Sequence, residues 1–116
     1  YYNLLNQWLI HKQESRSLTE YFEAQGYQSI AIYGMGELGQ RLYNELKDSS
    51  VNVKYAIDKN PEGSYIDLEV ITSEEKMEEV DVIVVTAIYA FDEINQSLSE
   101  QTEMKIISLE DVVFDM

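Results

Sequence analysis

A strand, a glycine-rich turn and a helix follow one another in this chain, and their order constrains the fold more than any other feature. The apolar run Ser29–Tyr33 leads into the hexapeptide Gly34–Gly39, and leucines then recur at helical spacing at Leu38, Leu42 and Leu46. The three glycines have separate uses: a tight turn, close approach of an anion to the backbone, and close packing of helix on strand. The helix then begins with unpaired N–H groups at the positive end of its dipole. The hexapeptide therefore predicts an anion site at a strand-to-helix turn.

An acidic residue closes the next apolar run. Asp58 follows Val51–Ile57, about 20 residues after the glycines, which is the spacing of the dinucleotide-binding fingerprint. In that pattern the acid accepts hydrogen bonds from a ribose and favours NAD over NADP, because a 2′-phosphate would meet a like charge. The alternative interpretation is a solvated turn aspartate, since Asp-Lys-Asn-Pro is good turn composition.

Strands and helices alternate along the rest of the chain. We predict strands at 27–33, 51–57, 68–71, 80–87 and 105–108, a turn at 58–63, and helices at 1–12, 18–25, 38–47, 72–79, 91–98 and 109–114. Such alternation implies right-handed crossovers and a parallel sheet. The expected fold is α/β, a Rossmann-like three-layer sandwich of about five parallel strands in the order 3-2-1-4-5, with an extra N-terminal helical segment. Its ligand crevice opens beyond strands one and four.

Length and composition limit the alternatives. The chain has 116 residues, enough for one domain, and begins at Tyr1, so we expect residues 1–16 to be a helix or linker from a longer parent protein and 17–116 to be the nucleotide-binding domain. The net charge of −14 disfavours nucleic acid and anionic lipid as partners. No run reaches the roughly 20 apolar residues of a membrane helix, and no signal peptide is recognisable. Absent cysteines exclude disulfides and fit a cytoplasmic protein.

The predicted binding residues fall in three stretches that the topology brings to one edge of the sheet. Backbone N–H groups near Met35, Glu37 and Leu38 are the expected anion donors, and the Glu37 side chain points to solvent or bonds a ribose hydroxyl. Tyr89 and Arg41 either contact a ligand or are ordinary surface residues. We predict no metal ligands and assign no catalytic residue, since His11, the sole histidine, lies outside the crevice. The predicted set is Gly34, Met35, Gly36, Glu37, Leu38, Gly39, Asp58, Lys59, Thr86 and Ala87.

Four segments together resemble a known group of domains: Tyr27–Gly39, Tyr55–Asn60, Asp81–Thr86 and Ile106–Val112. They are similar to accessory Rossmann domains of bacterial surface-polysaccharide biosynthesis proteins, which occur beside glycosyltransferase-like or sugar-modifying regions. The resemblance runs from about Leu18 to the end of the chain and implies a nucleotide or nucleotide-sugar at the glycine loop. The loop and acid are also similar to those of NADH-binding redox-sensing repressors and of NAD-binding regulatory domains of potassium transport.

Two functions follow as hypotheses, and a third possibility is an inert remnant fold that keeps the glycines for packing only. The first is a nucleotide-binding module of a larger polysaccharide or capsule biosynthesis protein, with NAD(H) or a nucleoside-diphosphate sugar as ligand and any catalysis in a further domain or subunit. The second is a non-catalytic module that senses NAD(H) or acts as a scaffold, for instance as a homodimer. An apolar N-terminal helix face that projected from the domain would favour the second.

Overall fold

A computed structural model describes residues 2–59 and 68–116 of the chain, and these form alternating helices and strands. The predicted turn after the second strand lies outside the described residues from position 60 onward. A short 3-10 turn occupies Ile88–Ala90. The elements are α1 (Tyr2–Gln13), α2 (Leu18–Ala24), β1 (Ser29–Tyr33), α3 (Glu37–Leu46), β2 (Asn52–Ile57), β3 (Val70–Ile71), β4 (Val82–Val85), α4 (Phe91–Ser99), β5 (Lys105–Ser108) and α5 (Leu109–Asp115).

The strands of the described residues form one parallel sheet in the order β3-β2-β1-β4-β5. This confirms the predicted α/β class, strand order and N-terminal helical segment. β1 lies at the centre, with Tyr33 beside Ile57 of β2 and Val85 of β4. The chain crosses from one side of β1 to the other between β3 and β4, so the carboxyl ends of β1 and β4 border the topological switch point.

Both faces of the sheet are covered, which explains why its central strands are apolar without alternation. Ile30 and Ile32 of β1 point to the face that carries α3, α5, α2 and α1. Ala31 points to the opposite face, where it packs with Ile83 and with Leu98 of α4. The helices on the two faces keep water from the backbone hydrogen bonds of β1 and β4.

The N-terminal helix packs into this domain. Leu4 and Trp8 of α1 are buried in the core beside α3 and α5. His11 is 1% exposed, and its Nε2 lies 2.8 Å from the carbonyl oxygen of Val113 in α5. Glu45 of α3 accepts a hydrogen bond from Trp8 Nε1 at 3.1 Å. The predicted segment 1–16 therefore shares its core with the rest of the domain.

The predicted helix at 72–79 is wrong, because this segment forms a turn followed by irregular chain. The Glu75 carboxylate accepts a hydrogen bond from the Thr72 N–H at 2.7 Å, and the Glu75 N–H donates to the Thr72 carbonyl. A continued helix would also place Glu74 over Glu78 and Glu75 over Glu79, and like charges at that spacing are destabilising. The local hydrogen bonds of the turn avoid this repulsion.

The stability of the domain at alkaline pH is expected to depend on the Tyr55 hydroxyl. Its ring is buried, and its hydroxyl donates to the Glu78 carbonyl at 2.7 Å; burial, aided by the Glu78 charge, raises the pKa of Tyr55 to about 12. Because the unfolded pKa is about 10, the stabilisation is complete below pH 10 and is lost as pH rises toward 12. We expect Tyr55→Phe to lower the free energy of unfolding at pH 7 by about 1 kcal/mol and to flatten its alkaline decline. Denaturant titrations at several pH values between 7 and 12 measure the free energy of unfolding and its decline with pH. If Tyr55→Phe leaves the alkaline decline unchanged, the decline does not come from the Tyr55 hydroxyl.

Candidate functional site

The first glycine of the loop has a conformation and a neighbour that exclude other residues. Gly34 has φ +96°, and its N–H donates to the Ile57 carbonyl at 2.8 Å. The Thr86 hydroxyl lies 2.6 Å from the Gly34 carbonyl oxygen and 3.0 Å from that of Tyr33, and its proton is shared between them. A Cβ on Gly34 would lie 2.7 Å from Thr86 Oγ1. These hydrogen bonds therefore hold the turn at the end of β1 against the ends of β2 and β4.

The third glycine lets α3 approach that turn. Gly39 lies in the first turn of α3 and is buried, and a Cβ there would overlap the carbonyl oxygen of Gly34 and touch Met35 Sδ at 3.3 Å. Gly39 belongs to α3, and the Gly34 turn is held by hydrogen bonds to Ile57 and Thr86, so neither partner of the overlap can move cheaply. Gly39 therefore sets the distance between α3 and the loop.

The second glycine has no such neighbour. Gly36 is exposed and precedes α3 with φ −73° and ψ −156°, and a Cβ built on it meets nothing within 4 Å. As a glycine, the N-cap residue Gly36 makes no side-chain capping bond to the start of α3. The N–H groups of Glu37 and Leu38 lie in the first helical turn, ahead of the first backbone hydrogen bond, which Gln40 makes to Gly36. An anion above Gly36 would therefore meet open donors and the positive end of the helix dipole.

Asp58 is coupled to the glycine loop. Its Oδ2 accepts a hydrogen bond from the Met35 N–H at 2.7 Å, and its side chain is half-buried at the end of β2. The Met35 N–H, which the sequence predicted as an anion donor, is thus engaged by Asp58. The N–H groups of Glu37 and Leu38, the other two predicted donors, belong to the first turn of α3. This contact holds the Asp58 carboxylate against the loop from the β2 side.

These groups line a cleft of about 320 Å³ at the switch point, close to the lower end of the usual range for small-molecule sites. Eight of the ten predicted residues line it, while Met35 and Gly39 are buried beneath it. Ile94 of α4 was not predicted to belong to the site; its helical spacing with Leu98 predicts a buried face but not the cavity that it borders. The described lining is Tyr33, Gly34, Gly36, Glu37, Leu38, Asp58, Lys59, Thr86, Ala87, Tyr89 and Ile94.

The charged side chains near the cleft are mostly at its mouth. Arg41 Nη2 lies 3.4 Å from Glu37 Oε1, and both side chains are more than half exposed, so this i,i+4 pair stabilises α3 only weakly. Burial and the neighbouring Asp58 charge raise the pKa of Tyr33 above its usual value, so this hydroxyl is neutral at physiological pH. Within the described lining, the neutral Tyr33 hydroxyl is therefore near the Asp58 carboxylate, and the Glu37 carboxylate stands in the first turn of α3.

A larger groove of about 440 Å³ lies between α1 and α3, away from the switch point. Glu45 lies in its wall, where it pairs with Lys12 at 3.4 Å and accepts from the Leu18 N–H at 2.7 Å. Together with the Trp8 contact, these bonds join α1, α2 and α3. The charged wall of this groove is thus occupied by structural bonds, and the cleft at the switch point is the better candidate site.

The described residues contain no group of three or more His, Asp or Glu side chains arranged to hold a metal ion. His11, buried against α5, is not among the residues that line the cleft. Within the described ranges, no helix is both long enough and apolar enough to cross a bilayer.

Fold and site together define an α/β domain with a glycine-loop cleft at the switch point of a five-stranded parallel sheet. Residues 26–108, from the end of α2 to the end of β5, match the family described as C2185-like, N-terminal. The match spans more than half of the chain, and the protein belongs to this family. Comparisons with curated proteins and with solved structures gave no match.

Proposed function

We propose that this domain binds a nucleotide that contains a pyrophosphate and a ribose, either NAD(H) or a nucleoside-diphosphate sugar. The observation that carries the proposal is the open backbone at Gly36, above an uncapped α3 terminus inside the cleft. The pyrophosphate lies on this backbone and accepts from the N–H groups of Glu37 and Leu38.

The contrast between the glycines supports this position for the pyrophosphate. Gly34 and Gly39 are each required by contacts within the chain, whereas Gly36 faces empty space and has an extended conformation that other residues adopt. Gly36 is acceptable as an N-cap, but Ser, Asp or Asn would serve at least as well there, and a ligand that approaches the backbone closely gives a specific reason for glycine.

Asp58 supports the placement of the ribose. Its carboxylate borders the cleft on the β2 side and contacts the loop through Met35. A ribose diol next to the pyrophosphate would donate to this carboxylate, and a 2′-phosphate would be repelled by it. The proposed preference is therefore for NAD(H) over NADP(H), with Lys59 at the same end as a partial offset to the negative charge.

The sequence resemblance extends the proposal to the parent protein. We place the domain in a cytoplasmic bacterial polysaccharide or capsule biosynthesis protein, associated with a glycosyltransferase or sugar-modifying region. The described lining supplies backbone donors, the carboxylates of Glu37 and Asp58 and the ammonium group of Lys59, which suit binding. Any catalytic groups then come from another domain or subunit.

A second function, as an NAD(H)-sensing or dimerising module, is favoured by a different observation. Leu9 of α1 is 56% exposed and Phe114 of α5 is 51% exposed, and these two helices pack against each other. A contact surface requires that such side chains form one contiguous apolar patch, since apolar residues exposed singly are normal on a protein surface. Sedimentation with and without ligand distinguishes a ligand-controlled dimer from a binding module that remains a monomer.

The proposal is tested by a thermal-shift screen of the chain against NAD⁺, NADH, NADPH and UDP-, CDP- and GDP-sugars. A ligand at 100 times its dissociation constant stabilises the native state by about 2.7 kcal/mol, which raises the midpoint by several degrees. We expect a shift with NAD(H) or with a nucleotide-sugar and a smaller shift with NADPH. No shift with any of these compounds would overturn nucleotide binding by this chain.

A further inference from the structure

The two ends of the cleft differ in chemistry. The β2 end has the Asp58 carboxylate and the Lys59 ammonium. The described β4 end is bordered by the methyl group of Ala87, the aliphatic side chain of Ile94 and the ring of Tyr89. A ligand that spans the cleft therefore meets a polar environment on one side of its pyrophosphate and a largely apolar one on the other.

At the described β4 end, the Thr86 hydroxyl is already engaged, which leaves the exposed Tyr89 hydroxyl as a polar side-chain group there. The Thr86 hydroxyl, 5% exposed, shares its proton between the Tyr33 and Gly34 carbonyl oxygens. A glycosyl group brings several hydroxyls, and each one placed here without a partner would lose hydrogen bonds to water. The described β4 end therefore favours a flat, weakly polar ring over a sugar.

Tyr89 is placed to cover such a ring. Its side chain is 92% exposed, on the 3-10 turn that follows β4. That turn is held by hydrogen bonds from Ile88 N–H to the Thr86 carbonyl at 2.8 Å and from Ala90 N–H to the Ala87 carbonyl at 3.0 Å. The backbone beneath Tyr89 is thus anchored to the cleft, while the aromatic ring at its mouth remains in solvent. An aromatic face in this position stacks on planar rings.

We propose that the cleft takes a dinucleotide whose second base lies at the β4 end, NAD(H) rather than a nucleotide-sugar, and that Tyr89 stacks on that base. This inference rests on the proposed function, since it assumes that the pyrophosphate lies over Gly36. It assigns Tyr89 as a specificity-determining residue for the nicotinamide half of the ligand.

The test compares NADH, ADP-ribose and UDP-glucose by calorimetric titration of the full chain, with nicotinamide fluorescence as a second signal for NADH. ADP-ribose retains the adenosine, pyrophosphate and second ribose but lacks the nicotinamide. We expect NADH to bind about tenfold more tightly than ADP-ribose, and Tyr89→Ala to remove this advantage while leaving the affinity for ADP-ribose unchanged. Tyr89→Phe, which keeps the ring, is the matched control and should bind NADH like the unmodified chain. Both substitutions lie at an exposed position, so the fold is expected to persist.

The outcomes separate this inference from the proposed function. Equal affinity for NADH and ADP-ribose, or a Tyr89→Ala variant that retains the difference, would overturn the stacking role while nucleotide binding stood. Tighter binding of UDP-glucose than of NADH would overturn the assignment to a dinucleotide. If none of the three compounds binds, the inference fails, and the proposed function fails as well only if the CDP- and GDP-sugars of the thermal-shift screen also give no shift.

Discussion

Gly39→Ala is expected to lower the free energy of unfolding by about 3 kcal/mol, at the upper end of the usual cost of overpacking. The added methyl group would overlap the carbonyl oxygen of Gly34 and crowd Met35 Sδ. Relief requires α3 to move away from β1, which opens the core around Leu38 and Leu42, both buried there. Urea titration monitored by far-UV circular dichroism measures the loss as a lower midpoint with an unchanged slope.

The matched control is Gly36→Ala, three residues earlier in the same loop. Its methyl group meets nothing within 4 Å, and the loss of a good N-cap residue is partly offset by the reduced freedom of the unfolded chain. We expect a change of less than about 1 kcal/mol. Equal destabilisation by the two substitutions would show that the close approach of α3 to the Gly34 carbonyl is not what requires glycine at position 39.

Gly36→Val is expected to abolish the thermal shift produced by the nucleotide while leaving a folded domain. The valine side chain would occupy the space above the α3 terminus in which the proposed pyrophosphate lies. Because that space is empty in the chain itself, the loss of binding comes without a large loss of stability. The readout is the shift in thermal midpoint at an NADH concentration 100 times the dissociation constant. In the unmodified chain this shift corresponds to about 2.7 kcal/mol of stabilisation, and in the variant it should be near zero.

Asn44→Val is the control for this second experiment. Asn44 is exposed on α3 and borders the groove between α1 and α3, outside the cleft. The Asn44→Val substitution introduces the same β-branched residue within α3, and it should leave the ligand-induced midpoint shift intact. A full shift in Gly36→Val would mean that the pyrophosphate does not approach the backbone at position 36, even if the domain binds a nucleotide elsewhere.

Local elements were predicted well where their signals are short-range. Ser17 with Glu20 three residues later is a capping-box pattern that predicts the N-cap of α2, and the Ser17 hydroxyl does accept from the Glu20 N–H at 3.1 Å. Gly26 is predicted as the glycine that follows this helix, and its φ is positive. β5 occupies the predicted range, Lys105–Ser108. These outcomes follow because caps and apolar strands depend on neighbouring residues alone.

The error at 72–79 shows the limit of that reasoning. The acidic composition looked like a solvated helix face, and the competing turn is held by the Glu75 side chain on the Thr72 backbone. Lys54 of β2 also lies 3.4 Å from Glu78 Oε1, a contact across the fold that no local pattern contains. Propensity was overridden by side-chain-to-backbone bonding and by tertiary contacts.

By itself, the sequence determined the α/β class, the strand order and the position of the glycine loop, because strand and helix periods and the handedness of crossovers leave few alternatives. Only the tertiary structure decided how the three glycines differ. The neighbours of Gly34 and Gly39 come from residues packed across the turn, while Gly36 has none. It also decided that Asp58 engages the Met35 N–H and that Ile94 borders the cleft. Those contacts depend on distances between segments far apart in the chain, and a one-dimensional pattern does not contain them.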